Sequence, residues 1–417
     1  MNQSGNRPVL TVCGGGNGGH ALAVVLSQNF DGVVNWLTVS DEKADLLRHR
    51  MSSSVLQSTG VIEGRADKLG TISSDAAEVI PDAAIVMIVV PAFVHATVLT
   101  KIKPYIRETT TIGCLPTRGG FEFEASRLVS DAGVAGRPTL FGLQTLPWST
   151  RAVSPGEVVN FGAAKASVVM AALPATAGPE IAAQLSRLLG TEIVSTDGFV
   201  NLTLGNPGQY IHPGLVYGHF RSWDGEEYDE ETIPMFYAEA TDEMGRVVEQ
   251  LSADALAVAQ TIEEESGGAL DLSDVVPVHD WLRSSYSHVT ADMSTVATCF
   301  RTGPIQARKA PVTEVSPGRF VPNFEYRYLT EDVPFGLVIT RAFAEIANVP
   351  TPTIDEVILW AQTQMQRIYL AEGKITGPDA RDLPIPQNYG VHTLRDLIGW
   401  YENYSETAQA SQAELTP

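Results

Sequence analysis

The sequence predicts two domains: an α/β domain built on a parallel sheet, followed by an all-α domain. Three observations carry this. Over residues 1–198, strand-like apolar runs alternate with helix-like runs. A bare glycine turn, CGGGNGGH, joins the first of those strands to the first helix. Beyond about residue 198 the alternation stops, and apolar residues recur at helical spacing. The length of 417 residues also exceeds one ordinary core.

The elements follow in order. Residues 8–13 read as a short buried strand, and residues 20–28, after the glycines, as a helix. Residues 33–39 form a second strand and 41–49 a polar helix. The run AIVMIVV at 84–90 is apolar throughout, as a central parallel strand covered on both faces must be. His95 opens a helix, strands follow at 109–114 and 139–143, and a helix lies between them at 122–130. VVNFG and ASVVMAALP read as strands, 178–189 as a helix and 192–196 as the last strand. The boundary falls at 197–203. After it, Met244, Val247, Val248, Leu251, Ala255, Val258, Ala259 and Ile262 mark one face of a long helix, and 335–347 and 354–370 are helical too. The expected division is therefore 1–198 and 199–404, with a polar, disordered tail at 405–417.

Composition narrows the function. A net charge of -21 argues against a nucleic-acid partner. No apolar run is long enough to span a membrane, and MNQSGNRP lacks the apolar core of a signal peptide, so a cytoplasmic location is expected. Cys13, Cys114 and Cys299 are too few and too scattered for a disulfide framework or a zinc site; inert buried thiols and no metal are expected. The acidic stretch 224–231 reads as a solvated loop.

Gly14, Gly16 and Gly19 fit G-x-G-x-x-G between a strand and a helix, the context that gives this motif its meaning. The first glycine permits the tight turn, the second lets the backbone approach a pyrophosphate, and the third lets helix and strand pack closely. The helix N-terminus then offers N–H donors to the phosphates. This is the signature of a Rossmann domain that binds a dinucleotide, with Asn17, Gly18 and Pro91 completing the site. Asp41, after the second strand, suits a ribose 2′-hydroxyl and favours NAD; it also suits a helix N-cap. Arg48 and Arg50, a few residues on, keep NADP open.

Two segments of the second half attract attention. His212 lies in GQYIHPGLVYG, where proline and glycine impose a special local backbone. Arg327 and Asp332 lie in FEYRYLTEDVPFG; Thr330 and Asp332 also suit a helix start, and Arg327 a pair with Glu325 or Glu331. Trp281, in VHDWLRSSY, suits packing as well as a pocket wall.

CGGGNGGH, VPAFVH, LPTRGGFEF, TLPW, IHPG, SWDG, RYLTED and PQNYGVHTL occur in this order from about residue 8 to residue 400. Together they resemble the opine dehydrogenases, the octopine dehydrogenase group in particular. The resemblance implies a Rossmann domain followed by an all-α domain, with the active site in the cleft between them. It implies a reductive condensation: an α-keto acid of the pyruvate type and the amino group of an amino acid form an imine. NAD(P)H reduces that imine to a secondary amine dicarboxylate. His212 would be the acid/base group and Asp332 would pair with its imidazolium. Arg327 would grip a substrate carboxylate, and Trp281 would wall the keto-acid pocket.

Arg118 departs from the octopine type, which carries a neutral amide there, and Thr150 and Asn206 differ around it. These three positions face the amino substrate in the family. Arg118 is therefore expected to repel a cationic side chain and to favour a neutral amine, an acidic amino acid or a sulfonate; it also suits a pair with Glu122 or Glu124. A hydroxy acid dehydrogenase that needs no amine and a non-catalytic dinucleotide sensor are the competing functions. A monomer or homodimer is expected.

Overall fold

The computed structural model describes residues 7–130 and 137–414. These form two compact units. The first takes the chain up to Thr117, Phe121–Leu202 and the segment from Gly399 onward. The second takes Arg118–Gly120 and Thr203–Ile398. The tripeptide and the terminal segment thus exchange sides relative to the linear division expected above.

In the first unit the strands are β1 (Val9–Cys13), β2 (Val33–Leu37), β3 (Gln57–Gly60), β4 (Gly64–Arg65), β5 (Leu69–Ser73), β6 (Ala83–Ile88), β7 (Thr111–Cys114), β8 (Leu140–Leu143), β9 (Trp148–Ser154), β10 (Val158–Ala164), β11 (Ser167–Leu173) and β12 (Glu192–Thr196). The helices are α1 (Asn17–Asn29), α2 (Asp41–Ser53), α3 (His95–Ile102), α4 (Phe121–Ser130) and α5 (Gly178–Leu189). Eight strands form the main sheet in the order β12-β11-β8-β7-β6-β1-β2-β5. Neighbours run parallel except β8 and β11, which are antiparallel. The winding direction reverses between β1 and β6, and the glycine turn leaves the end of β1 at that switch point. A smaller sheet, β4-β3-β10-β9, lies beside it. Strands β3 and β4 are mostly exposed and carry no apolar alternation; the pairing of β3 with β10 and of β4 with β3 makes them strands, which the sequence pattern does not display.

The glycine turn is built by contact as much as by torsion. Gly14 sits at φ +137°, and a Cβ on it would lie 2.4 Å from the Val89 carbonyl oxygen. A Cβ on Gly19 would lie 1.9 Å from the Gly14 carbonyl oxygen, so α1 reaches the turn only without side chains there. The Trp36 indole N–H donates to the same Gly14 oxygen at 2.8 Å. His20 is fully buried one residue on, edge-on to Trp36. Its Nδ1–H donates to the Gly16 carbonyl at 2.7 Å, and Nε2 accepts from the Gly156 N–H at 2.8 Å. Burial, chiefly, and the Lys43 cation lower its pKa to about 4. His20 is therefore a neutral strut between the glycine turn and the β9–β10 turn.

In the second unit the helices are α6 (Phe199–Leu204, at the boundary), α7 (Gly208–Phe220), α8 (Asp242–Glu265), α9 (Val278–Tyr286), α10 (Val296–Thr302), α11 (Arg327–Thr330), α12 (Val338–Ala347) and α13 (Pro352–Gln364). Helix α8 is the hub: α7, α9, α10, α12 and α13 all pack on it. All eight apolar positions read from the sequence along it are buried. Gly214 and Gly218, one turn apart, let α7 approach; Cβ atoms there would meet Val248 at 2.8 Å and Met244 at 2.4 Å. Between α11 and α12 the helical path widens to π-helical geometry over Val333–Leu337.

Two corrections concern this half. It carries a small antiparallel sheet of β13 (Tyr228–Asp229), β14 (Val312–Ser316) and β15 (Arg319–Pro322), so it is helical but not purely α. Strand β14 is largely exposed, and Arg319 holds Glu227 and Asp229, so part of the acidic stretch is paired strand. The last helix, α14 (Leu394–Glu414), continues through residues 405–414, where a disordered tail is expected. That stretch has no glycine or proline and is rich in Ala, Gln and Glu, which propagate a helix already anchored upstream. The anchor is aromatic: Trp400 packs on Phe123 at 4.5 Å, and the Tyr404 hydroxyl donates to the Pro138 carbonyl at 2.7 Å. The remaining tail residues, 415–417, lie outside the described residues. Among the described residues no helix is long and apolar enough to cross a membrane.

Two outcomes follow for stability. Gly19→Ala forces a shift against backbone and should lower urea stability by about 2 kcal/mol. A Cβ on Gly16 meets nothing within 4 Å, so Gly16→Ala should stay within about 1 kcal/mol of the parent. Equal losses would refute this reading. His20 binds a proton more readily unfolded, near 6.5, than folded, near 4. Its contribution, roughly 3 kcal/mol, is complete above 6.5 and drains away as pH falls toward 4. Urea midpoints across that window should fall more steeply in the parent than in His20→Gln; parallel slopes would rule the strut out as the acid-sensitive element.

Candidate active site

The turn after β1 suits a dinucleotide pyrophosphate. Gly16 opens onto free space, while Gly14 and Gly19 are locked in contact. No side chain caps the α1 N-terminus, and its first turn bears no acidic residue, so its N–H groups and positive dipole end are available to an anion. The stem of Lys43 lies across Gly15, bringing a cation to the loop that the motif alone does not reveal. Asn17 does not stand free beside it: its Oδ1 accepts from the Ala152 N–H at 2.9 Å, tying α1 to β9. A Cβ on Gly18 would meet Val89 at 2.4 Å, so this glycine too serves close packing. Pro91 opens the short turn that follows β6, next to β1 in the sheet.

Asp41 is the first residue of α2, but Ser40 is its N-cap, through the Lys43 N–H. Asp41 instead accepts from the Ser74 hydroxyl and stays exposed at the end of β2, where a ribose hydroxyl would lie. Arg48 pairs with Asp45 and donates to the Ile72 carbonyl at 3.0 Å. Arg50 donates to Ser154 Oγ and the Pro155 carbonyl, both at 3.0 Å. Both guanidinium groups that kept a 2′-phosphate open have other partners. All three cysteines are buried and none is in a disulfide; burial pushes the Cys13 thiol up, and Cys114 Sγ lies 3.3 Å from His95 Nε2.

The second unit gathers the remaining chemistry. Pro213 stands inside α7 directly after His212. The His212 Nδ1–H donates to Asp332 Oδ2 at 2.8 Å. Its ring stacks on Tyr328 at 4.0 Å with planes 15° apart, and Tyr328 is held by Phe236 on one side and by the Arg308 guanidinium at its hydroxyl. The imidazole is 23% exposed, with Nε2 not committed to Asp332. Asp332 itself is 1% exposed, at the junction of α11 and the π-helical stretch. Burial pushes its carboxyl up, but Arg118, His212 and Arg327 outweigh burial and hold it below the usual carboxylate range.

Arg118 is buried behind this pair. Its Nη2 lies 2.9 Å from Asp332 Oδ1, its Nε 3.5 Å from Glu331 Oε1, and its Nη1 donates to Asn206 Oδ1 at 2.9 Å. The same Asn206 oxygen accepts from the Gly208 N–H at 3.0 Å, at the start of α7. Glu331 bridges onward to Arg327 Nη2 at 2.6 Å. Arg327 is 47% exposed and so keeps a face for a second carboxylate.

The structure thus joins five of the expected residues, His212, Asp332, Arg118, Asn206 and Arg327, into one network. It corrects their relations. Arg118, also read as suiting a pair with Glu122 or Glu124, meets Asp332 and Glu331 within the second unit, and Glu122 accepts from the Tyr401 hydroxyl at 3.0 Å in the first. Thr330 caps nothing, because the α11 N-cap is Tyr326. Trp281 sits on α9, edge-on to Tyr286, and that helix packs on α8 and α10. Thr150 lies on β9 of the first unit, paired with Phe161. Glu331, read as one of two possible partners of Arg327, does pair with it and also faces Arg118, while Tyr328 went unread. RYLTED places both beside Arg327 and Asp332, and that adjacency is the signal.

Comparison with known proteins fits this geometry. The NAD-dependent glycerol-3-phosphate dehydrogenase N-terminus matches residues 9–133, and the NAD/NADP octopine/nopaline dehydrogenase alpha-helical domain matches residues 195–365. The tauropine dehydrogenase of Arabella iricolor is 32% identical, over 94% of this chain and 100% of its own. The opine dehydrogenase of Haliotis discus hannai is 31% identical, over 93% and 97%. A solved octopine dehydrogenase with NADH and L-arginine superposes with a TM-score of 0.83 at 27% identity, covering 94% of this chain and 98% of that one. Likeness of this extent, in sequence and in fold, establishes that the chain belongs to the opine dehydrogenases, oxidoreductases acting on CH–NH donors with NAD as acceptor.

Proposed function

We propose that this opine dehydrogenase joins an α-keto acid of the pyruvate type to a compact amine without a cationic side chain, with His212 as the acid/base group. The observation that carries the role of His212 is its 2.8 Å bond to Asp332. An ionised carboxylate can only accept, so it fixes the proton on Nδ1 and leaves Nε2 to give and take protons. The amine adds to the keto carbon, and the resulting carbinolamine loses its hydroxyl as water once Nε2 protonates it. The nicotinamide, when bound, supplies hydride to the imine carbon. The imine nitrogen, its lone pair restored, ends as a secondary amine whose proton His212 can exchange. Arg327 is assigned to a substrate carboxylate: its planar fork is half-exposed, and Glu331 orients it from behind.

Charge balance supports the choice of amine, though by a different route from direct repulsion. A guanidinium or ammonium side chain needs an unpaired carboxylate. Glu331 and Asp332 each already face Arg118, and Glu331 also holds Arg327. The four charges cancel, and protonation of His212 leaves the cluster positive, which suits an anionic partner. Pyruvate occurs with NADH in a solved octopine dehydrogenase, and the 32% identical relative is named for tauropine. Taurine and neutral or acidic amino acids are therefore the favoured amines.

His212→Ala should lower kcat by about a hundredfold to ten-thousandfold and leave NADH binding, read by fluorescence, nearly unchanged. A fully active variant would end the assignment. A matrix of keto acids against amines, followed by NADH oxidation, tests the substrate class. Taurine, neutral or acidic amines should exceed arginine and lysine in kcat/KM. Arginine or lysine on top would refute the amine assignment, and full turnover by keto acid alone would point to a hydroxy acid dehydrogenase.

A further inference from the structure

Asp332 has two carboxylate oxygens and two partners of opposite kinds. Oδ2 takes the His212 proton at 2.8 Å, while Oδ1 faces the Arg118 guanidinium at 2.9 Å. Arg118 also reaches the helix that carries His212: its Nη1 binds Asn206 Oδ1, and that oxygen holds the first N–H of α7. One buried side chain therefore braces both members of the acid/base pair. We infer that Arg118 is a positioning residue: it keeps Asp332 ionised and aimed, and through it sets the tautomer of His212. This rests on the assignment of His212 proposed above.

The argument is one of buried charge. A carboxylate out of water with a neutral imidazole as its only partner takes up a proton instead of staying charged. A protonated Asp332 would donate to Nδ1 and drive the imidazole proton onto Nε2. Neutral His212 could then no longer take up a proton at Nε2. Arg118 prevents this from behind, where its own charge is spent on Asp332 and Glu331 and its side chain is 9% exposed. It thus replaces the substrate contact expected at this position.

Among the described residues, the other charges near the pair are held elsewhere or act from the surface. Arg327 acts on Asp332 from a half-exposed position and is held by Glu331. Arg308 is engaged by Tyr328, which stacks on His212. On α12, Arg341 binds Asp355 of α13 at 2.6 Å, and the Tyr217 hydroxyl of α7 donates to Glu356 Oε1 at 2.5 Å.

The test compares kcat–pH profiles of the parent, Arg118→Gln and Arg118→Lys, with keto acid and amine saturating. In Arg118→Gln the acid limb should move toward higher pH, with kcat at pH 6 down by about tenfold or more and partly regained by pH 9. Arg118→Lys keeps a cation and should stay within about threefold of the parent. In an Asp332→Asn background, Arg118→Gln should lower kcat little further. If Arg118→Gln folds poorly, Arg118→Gln/Asp332→Asn should melt higher than Arg118→Gln alone, because no buried charge is left unmatched. A parent-like profile in Arg118→Gln, a defect confined to KM for the amine, a lysine variant as impaired as the glutamine one, or a double variant no more stable would each overturn the proposal. His212→Ala, measured alongside, separates the failures. If it is inactive, the loss falls on Arg118 alone; if it is active, the reading of the site falls with it.

Discussion

A carboxylate at 1% exposure is the constraint around which the second unit is organised. Asp332 is held charged although burial opposes that charge. The fold answers with cations drawn from distant parts of the sequence. Arg118 comes from a tripeptide between two segments of the other unit, and Arg327 comes from one turn upstream. His212 comes from α7, whose start is tied to Arg118 through Asn206. Breaking one of these links leaves a buried ion unmatched, which is far worse than never having buried it. The network therefore stands or falls as a unit, and Glu331 extends it to the half-exposed guanidinium assigned to substrate.

The first unit obeys a steric rule instead of an electrostatic one. Gly14 and Gly19 are in mutual contact and Gly18 is against Val89, so three glycines of the turn are there to be small. Gly16 alone faces open space. The neutral histidine beneath the turn makes the same point: His20 joins two backbone turns by hydrogen bonds that require it to remain uncharged. Two histidines on helices thus sit in opposite settings, His20 kept neutral between two backbone turns and His212 bonded to a carboxylate.

Much of this was legible in the sequence, for reasons that differ by element. The glycine turn is local, and its spacing encodes its geometry directly. The parallel strands announce themselves as apolar runs because both faces are covered. The long helix α8 shows its buried face plainly. Strands β3, β4 and β14 were invisible because they are short and exposed, and partner strands define them. The helical end of the chain was missed because polar composition hides the aromatic anchor at Trp400 and Tyr404. His212 and Asp332 lie 120 residues apart, and only the ordered set of motifs suggested that they meet. The ion pairs of Arg118 were not foreseen for the same reason: Glu331 and Asp332 lie far along the chain from it. Glu331 was legible as a partner of Arg327 because it lies one helical turn on, but its burial was not.

The π-helical stretch between α11 and α12 also bears on Asp332 through its backbone. A π turn takes one residue more than an α-helix would use for the same path. Asp332 stands at its entrance, and the Leu337 N–H bonds back to its carbonyl at 3.1 Å, five residues away instead of four. Were the turn to close to α-helical spacing, the Leu337 N–H would pass to the Val333 carbonyl and the Asp332 carbonyl would need another partner. The side chain of Asp332 is thus held by charges, and its main chain by the widened turn.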